Sequence, residues 1–228
     1  MKTAVLVVVS ILLLQVLLGG VPSVLLAQAP AGDCVVIDDF SSSKDGAFPE
    51  GWKPRKDSGR PAYAVHSEGG LRFLRATAKN LGIQAAKELK DWNLDQHPVV
   101  AWKWRPREFP KGANEQSGKN DSVLSVYAVF PHSRISVKSV KYIWSEKVPV
   151  GTHLESSQGL TQVIVLRSGP SEKPETWVVE KRNVVEDYKK LFNEAQVPKP
   201  IGIAVLTDSD DTKSSAEGDY ADFKVCKG

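Results

Sequence analysis

The sequence lacks the charge excess that marks proteins which bind nucleic acid. It contains 30 Lys and Arg against 27 Asp and Glu, a formal net charge of +3 at pH 7. The two signs are interspersed along the chain, whereas nucleic-acid-binding domains concentrate basic residues in a patch or stripe. We therefore expect no nucleic-acid partner.

Motifs that identify common enzyme classes are also missing. No G-x-S-x-G nucleophile elbow occurs. The loop GANEQSGKND (112–121) is not a phosphate-binding loop, because Asn120 stands where Ser or Thr must follow the lysine. Histidine is scarce, and the four present are too scattered to form a zinc motif: His66, His97, His132 and His153. The sequence therefore indicates no catalytic residue.

Cysteine occurs only twice, at Cys34 and Cys226. The positive Lys2, a long apolar stretch and the small-x-small pattern at Ala27–Ala29 predict a cleaved secretory signal peptide over residues 1–29, with an uncleaved membrane anchor as the alternative. Disulfides persist in exported proteins, so we expect Cys34 and Cys226 to pair. Two free thiols or an intermolecular bridge are the alternatives. The predicted location is periplasmic or secreted, without a transmembrane segment after cleavage.

Residues 30–228 are expected to form a single domain. Short runs rich in β-branched and aromatic residues recur between turn residues, which favours an antiparallel β-sandwich of two sheets. One segment has helical spacing of apolar residues, and Asn183 with Glu186 three residues later is typical of a helix start. This segment predicts a helix over 183–195, ended by Pro198.

Strand alternation in VVAWKWRP places Trp102 and Trp104 on one face and Lys103 and Arg105 on the other. Aromatic rings stack on sugars while cationic groups bond their hydroxyls, so Lys103, Arg105, Trp144 and Arg167 are predicted to bind a ligand. Tyr127 and Trp177 could extend that surface. The alternative is that the tryptophans fill the core.

The apolar run IGIAVL (201–206) is followed directly by the segment TDSDDT (207–212), which contains three carboxylates. Asp208 and Asp210 are predicted to edge a ligand site, and together with Asp222 they are the weak candidates for calcium. The spacing imitates an EF-hand loop, but Lys213 replaces the required glycine and strands flank the loop. No metal or other cofactor is assigned, and a solvated turn is the alternative.

The chain resembles DUF3047, a family of exported bacterial proteins described as a domain of unknown function. The resemblance is carried by these segments in order: VIDDF (36–40), WKWR (102–105), YAVF (127–130), YIWS (142–145), IVLRSG (164–169), WVVEKRNVVEDYKKLF (177–192), IGIAVLTDSDDT (201–212) and YADFKV (220–225). It implies a jelly-roll, carbohydrate-binding-like sandwich and no established activity.

These observations predict an exported sandwich that binds a glycan or a small polar ligand without catalysis. Its partner would be an oligosaccharide, a polysaccharide or another envelope component. One alternative is a glycoside-active enzyme that uses Glu180 and the loop aspartates as its carboxylate pair. The other is a structural protein of the envelope.

Overall fold

The structure is a computed structural model that describes residues 33–228 apart from residues 172 and 174. The predicted signal peptide lies outside the described residues. None of the helices in the described part has the length and apolarity that a membrane span requires.

Strands dominate the described chain. One α-helix, α1 (Val184–Phe192), and two 3-10 helices, Asp57–Ala62 and Glu115–Ser117, interrupt them. The strands are β1 (Cys34–Asp38), β2 (Trp52–Pro54), β3 (Tyr63–Glu68), β4 (Leu71–Lys79), β5 (Ala85–Glu88), β6 (Val99–Glu108), β7 (Leu124–Pro131), β8 (Val137–Ser145), β9 (His153–Ser156), β10 (Thr161–Ser168), β11 (Val178–Asn183), β12 (Gly202–Leu206) and β13 (Ser215–Cys226).

The strands form two sheets. The six-stranded sheet has the order β11-β6-β13-β4-β3, with β1 also paired to β13, and the seven-stranded sheet has the order β2-β5-β12-β7-β8-β10-β9. All pairings are antiparallel except that of β8 with β10, which is parallel because β9 intervenes along the chain. The predicted two-sheet sandwich with one helix is therefore confirmed.

The core lies between the two sheets and is rich in aromatic rings. Trp102 and Trp104 point inward from β6, and Tyr142 and Trp144 meet them from β8 with ring centroids 5.5 and 5.8 Å apart. Edge-to-face and offset contacts of this kind add to the stabilisation from burial. The tryptophans of both strands thus fill the core.

The first and last strands are joined by the predicted disulfide. Cys34 and Cys226 lie opposite each other in the register of β1 and β13 and form an intramolecular bridge across a separation of 192 residues. The bridge confirms the pairing expected from the sequence.

The helix starts as predicted but ends early. The Asn183 side chain accepts hydrogen bonds from the backbone N–H groups of Val185 and Glu186, which are free at a helix start. The helix ends at Phe192 rather than at residue 195, because Asn193 adopts a left-handed conformation with φ of 53°. Tyr188 anchors the helix on Phe130 of β7.

Candidate functional site

The six residues predicted to bind a ligand are divided among three parts of the sandwich. Lys103 and Arg105 lie on the outer face of the six-stranded sheet, where Lys103 forms an ion pair with Asp222 at 3.2 Å. Asp222 also pairs with Lys224, and it is not part of the carboxylate cluster that contains Asp208 and Asp210. Asp222 is therefore not brought into a common cation site with them.

Arg105 is buried within a network of charges. Its Nε donates to Asp219 at 2.8 Å, Nη2 bonds Glu68, and Nη1 donates to the Glu175 carbonyl oxygen at 3.3 Å. Its guanidinium also lies 4.4 Å from the centroid of the Trp177 ring. All its donor atoms thus have partners within the chain.

Asp219 is the centre of that network. It is fully buried and accepts hydrogen bonds from Arg75, Arg105 and Arg107. Burial alone would raise the pKa of Asp219, but the three guanidinium groups outweigh it and lower the pKa. The network is satisfied and holds the outer face of this sheet together.

Trp144 and Arg167 belong to a third region, the side of the sandwich near β10 and β11. Trp144 is buried in the core, and its Nε1 donates to the Gly169 carbonyl oxygen at 2.8 Å. Arg167 donates to Glu180 at 2.7 Å, and Glu180 also accepts from Trp104 Nε1. Glu180 is not part of the carboxylate cluster that contains Asp208.

The acidic cluster, defined here as Asp121, Asp208 and Asp210, lies where β12 ends. One carboxylate oxygen of each residue lies within 4.8 Å of the others. Asp121, which the sequence did not single out, accepts hydrogen bonds from the backbone N–H groups of Asp211 and Thr212 and so fixes the loop. Carboxylates this close together repel one another unless one holds a proton or a cation lies between them.

Asp208 has the most strongly shifted pKa in the acidic cluster. Burial raises the pKa of Asp208 to about 8, Lys141 partly opposes the rise, and Asp210 and Asp121 add to it. Its Oδ1 is shielded from solvent and has no hydrogen-bond partner among the described residues. Among residues 33–228 that the structure describes, these three are the group that could hold a cation such as calcium, but Asp121 already bonds the loop.

Lys141 links the acidic cluster to the face of the seven-stranded sheet, and sequence reasoning missed it. It lies opposite Tyr127 in the pairing of β7 with β8, with Nζ 5.5 Å from the ring centroid. Burial lowers the pKa of Lys141, but Tyr127, Asp208 and Glu115 outweigh burial and raise it. No ion pair joins Lys141 to the described residues, and the Tyr127 side chain is the hydrogen-bonding group beside its ammonium.

The sequence pattern that could have drawn attention to Lys141 is the alternation of inward and outward residues along β8. Val140, Tyr142 and Trp144 point into the core, so Lys141 must point outward. Lys141 is nevertheless only 8% exposed. Sequence alone does not show that this outward position is covered.

The outer face of the seven-stranded sheet also carries a groove, called here the sheet groove, of about 450 Å³. Tyr127 and Ser139 line it, and Lys141 is the next outward residue after Ser139 on β8. Further polar lining residues include Gln84, Ser157 and Thr161, with Lys53 and Arg55 nearby. The sheet groove therefore leads toward Lys141 and the acidic cluster.

One more unsatisfied group lies on this face. Ser125, two residues before Tyr127 on β7, is fully buried and its hydroxyl has no partner among the described residues. Buried polar groups without partners are rare in native proteins, and several together indicate ordered water or a ligand.

Comparison with known proteins identifies a family and a shared architecture. The model of the family "Protein of unknown function (DUF3047)" matches residues 50–224. A search of curated proteins finds no match.

Solved structures with similar architecture include the family 11 carbohydrate-binding module of a cellulosomal cellulase of Clostridium thermocellum, with 9% identity and a TM-score of 0.45 over 86% of this chain and 95% of the module. The carbohydrate-binding module CBM28, specific for non-crystalline cellulose, has 10% identity and a TM-score of 0.40 over 81% and 93% of the two chains. Endoglucanase 3 of Trichoderma harzianum has 10% identity and a TM-score of 0.40 over 88% and 100%. At these TM-scores the similarities carry no argument about a ligand or a reaction.

Proposed function

The chain belongs to the DUF3047 family of proteins of unknown function, and from the geometry of its seven-stranded sheet we propose that it binds an oligosaccharide without cleaving it. The ligand would lie in the sheet groove and reach Lys141 and Asp208. We also propose that the protein acts outside the cytoplasm, where its disulfide would persist.

The observation that carries this proposal is the grouping of unsatisfied polar atoms beside an aromatic ring. Lys141 offers N–H donors, while Asp208 Oδ1 and the Ser125 hydroxyl have no partners among the described residues. Tyr127 lies between the sheet groove and Lys141. A sugar presents hydroxyls that donate and accept at once, next to an apolar ring face, and so matches Tyr127 and the polar groups that line the sheet groove.

The lining and size of the sheet groove support the same ligand class. Its volume of about 450 Å³ falls within the range of small-molecule sites, roughly 300–1,000 Å³. Hydroxyl and amide groups come from Ser139, Ser157, Thr161 and Gln84, and these suit a neutral polyhydroxylated molecule.

Binding is favoured over hydrolysis by the arrangement of the carboxylates. Glycosidases separate their two carboxyl groups by roughly 5–5.5 Å for retention or 6.5–9.5 Å for inversion. In the acidic cluster the oxygens lie within 4.8 Å, and both Asp121 oxygens accept bonds from the loop. Asp208, with its raised pKa, could serve as an acid, so hydrolysis remains the second candidate function.

The experiment is a glycan array of plant, fungal and bacterial cell-wall oligosaccharides, followed by calorimetric titration of each bound oligosaccharide. Lys141→Met should weaken binding by about tenfold, the effect of losing roughly 1.4 kcal/mol of interaction. Lys147→Met, at an exposed position of the adjoining loop, is the matched control and should bind normally.

Product analysis by chromatography of the same mixtures separates the candidates. Unchanged oligosaccharide supports binding, whereas cleavage that is lost in Asp208→Asn would establish the hydrolase. An array without saturable binding, or equal affinity in Lys141→Met and the parent protein, would contradict the proposal and favour a structural role in the envelope.

A further inference from the structure

A second cavity, called here the edge cleft, opens between β10 and β11 where the two sheets do not close on each other. Its volume is about 500 Å³, and helix α1 contributes to its wall. The edge cleft contains none of the residues that line the sheet groove. It is therefore a separate cavity from the proposed saccharide site.

One wall of the edge cleft is apolar. Ile164 and Leu166 of β10 and Leu191 of α1 line it while packing against the core, and Val150 lies 63% exposed at its margin. Such a wall favours an apolar body, since burying apolar surface yields roughly 25 cal/mol per Å².

The opposite wall carries charges that point between the sheets. Glu180 and Arg182 lie on the inward side of β11, on which Val178 packs against the core. Glu180 accepts from Arg167 at 2.7 Å. Asp187 accepts two hydrogen bonds from Arg182, at 3.0 and 2.5 Å. Both carboxylates that line the edge cleft are thus neutralised by an arginine.

The remaining charges in the edge cleft are positive. Lys181 and Lys190 line it, are exposed, and form no ion pair with the described residues. The edge cleft therefore combines an apolar wall with a cationic surplus.

We infer that the edge cleft binds a small amphipathic anion, an apolar chain or ring that carries a carboxylate. The apolar body lies against Ile164, Leu166 and Leu191, and the carboxylate lies near Arg182 and Lys190. The arginines that neutralise Glu180 and Asp187 remove the repulsion that such an anion would otherwise meet.

The test uses octanoate as the probe, with 1-octanol and octylamine as its neutral and cationic counterparts. Octanoate should bind saturably in calorimetric titration, about tenfold more tightly than 1-octanol, while octylamine should bind more weakly still. In methyl NMR spectra the signals of Ile164, Leu166 and Leu191 should shift with octanoate concentration.

Charge reversal localises the anion. Lys190→Glu should weaken octanoate binding about five- to tenfold, equivalent to roughly 1–1.4 kcal/mol, whereas Lys181→Glu, on the side of β11 opposite Glu180 and Arg182, should weaken it less. Both positions are exposed, so folding should be kept. Lys189→Glu, an exposed neighbour on α1 outside the edge cleft, is the matched control and should leave binding unchanged.

Equal affinity for octanoate and 1-octanol would overturn the inference. So would parent-like binding by Lys190→Glu, or a lack of saturable binding. Lys141→Met should bind octanoate normally, so failure at the edge cleft is distinguishable from failure of the proposed saccharide site.

Discussion

The acidic cluster predicts an unusual dependence of folding stability on pH, which Asp208→Asn should abolish. Burial raises the pKa of Asp208 from 3.8 to about 8 in the folded protein, although Lys141 partly opposes the rise. The folded protein therefore holds a proton that the unfolded chain, with an ordinary carboxyl group, releases above about pH 4. Asparagine has a similar shape but no proton to lose.

The sign and size of the effect follow from this difference. Because the folded-state pKa is the higher one, the contribution is fully present below about pH 4 and is lost as the pH rises to about 8. A difference of about four pKa units, at roughly 1.4 kcal/mol each, gives on the order of 5–6 kcal/mol between the two limits. Relaxation around Asp121, Asp210 and Lys141 will reduce this free-energy difference. We therefore expect the free energy of unfolding to change by somewhat less than about 1 kcal/mol per pH unit.

Urea unfolding followed by tryptophan fluorescence measures the free energy of unfolding at several pH values between 4.5 and 8. The free-energy difference between Asp208→Asn and the parent protein should shift steadily in favour of the variant as the pH rises. Asp45→Asn, at an exposed loop position, is the control and should run parallel to the parent. Parallel curves for Asp208→Asn and the parent would refute the protonated, buried Asp208.

Three further outcomes are expected. Cys34→Ser with Cys226→Ser should lose about 5 kcal/mol of stability, because the bridge closes a loop across a separation of 192 residues; an unchanged urea midpoint would contradict this entropic estimate. Asp219→Asn should lose about 3–5 kcal/mol, because it leaves the buried Arg105 without its central carboxylate; thermal unfolding with normal stability would rule out that role. Gly82→Ala should flatten the pH dependence of stability, since a Cβ there overlaps the Asp208 and Asp210 carboxylates and pushes them toward water. Retention of the parent slope in the urea series would show that the carboxylates do not depend on that close approach.

Much of the fold was predictable because the relevant signals are local. Alternation in VVAWKWRP assigned Trp102 and Trp104 to one face, and the structure puts both in the core. The helix start at Asn183 was correct because its cap is a contact between near neighbours in the chain. The disulfide was predictable because two cysteines allow one intramolecular pairing.

The parts that sequence reasoning missed depend on contacts between distant segments. The short strands β2, β5 and β9 carry too few residues for alternation to identify them. The early end of the helix depends on the left-handed Asn193, which periodicity does not reveal. The parallel pairing of β8 with β10 likewise follows from the placement of β9, not from any pattern within the strands.

The candidate site was only half predictable for the same reason. Asp208 and Asp210 stood out as a run of carboxylates. Asp121 joins them from a distant segment, since it bonds Asp211 and Thr212 across sequence separations of 90 and 91 residues. Lys141 was hidden because alternation identifies an outward residue without showing whether neighbouring chain covers it. Arg105 showed the reverse problem, since an outward cation proved to be buried beneath Trp177 and Glu175.

The contrast between the two buried charge networks supports testing the region of Lys141, and not that of Asp219, for ligand binding. In the network around Asp219 each Arg105 donor atom meets an acceptor, and three guanidinium groups surround one carboxylate, so nothing is left for a ligand to supply. Around Lys141 the ammonium has no ion-pair partner in the described chain, and Asp208 Oδ1 and the Ser125 hydroxyl have none for hydrogen bonding. Each unmatched buried group costs about 1–3 kcal/mol. A chain that only needed stability would gain by replacing these groups with apolar residues, and this is the physical reason to test the proposed saccharide site beside Lys141.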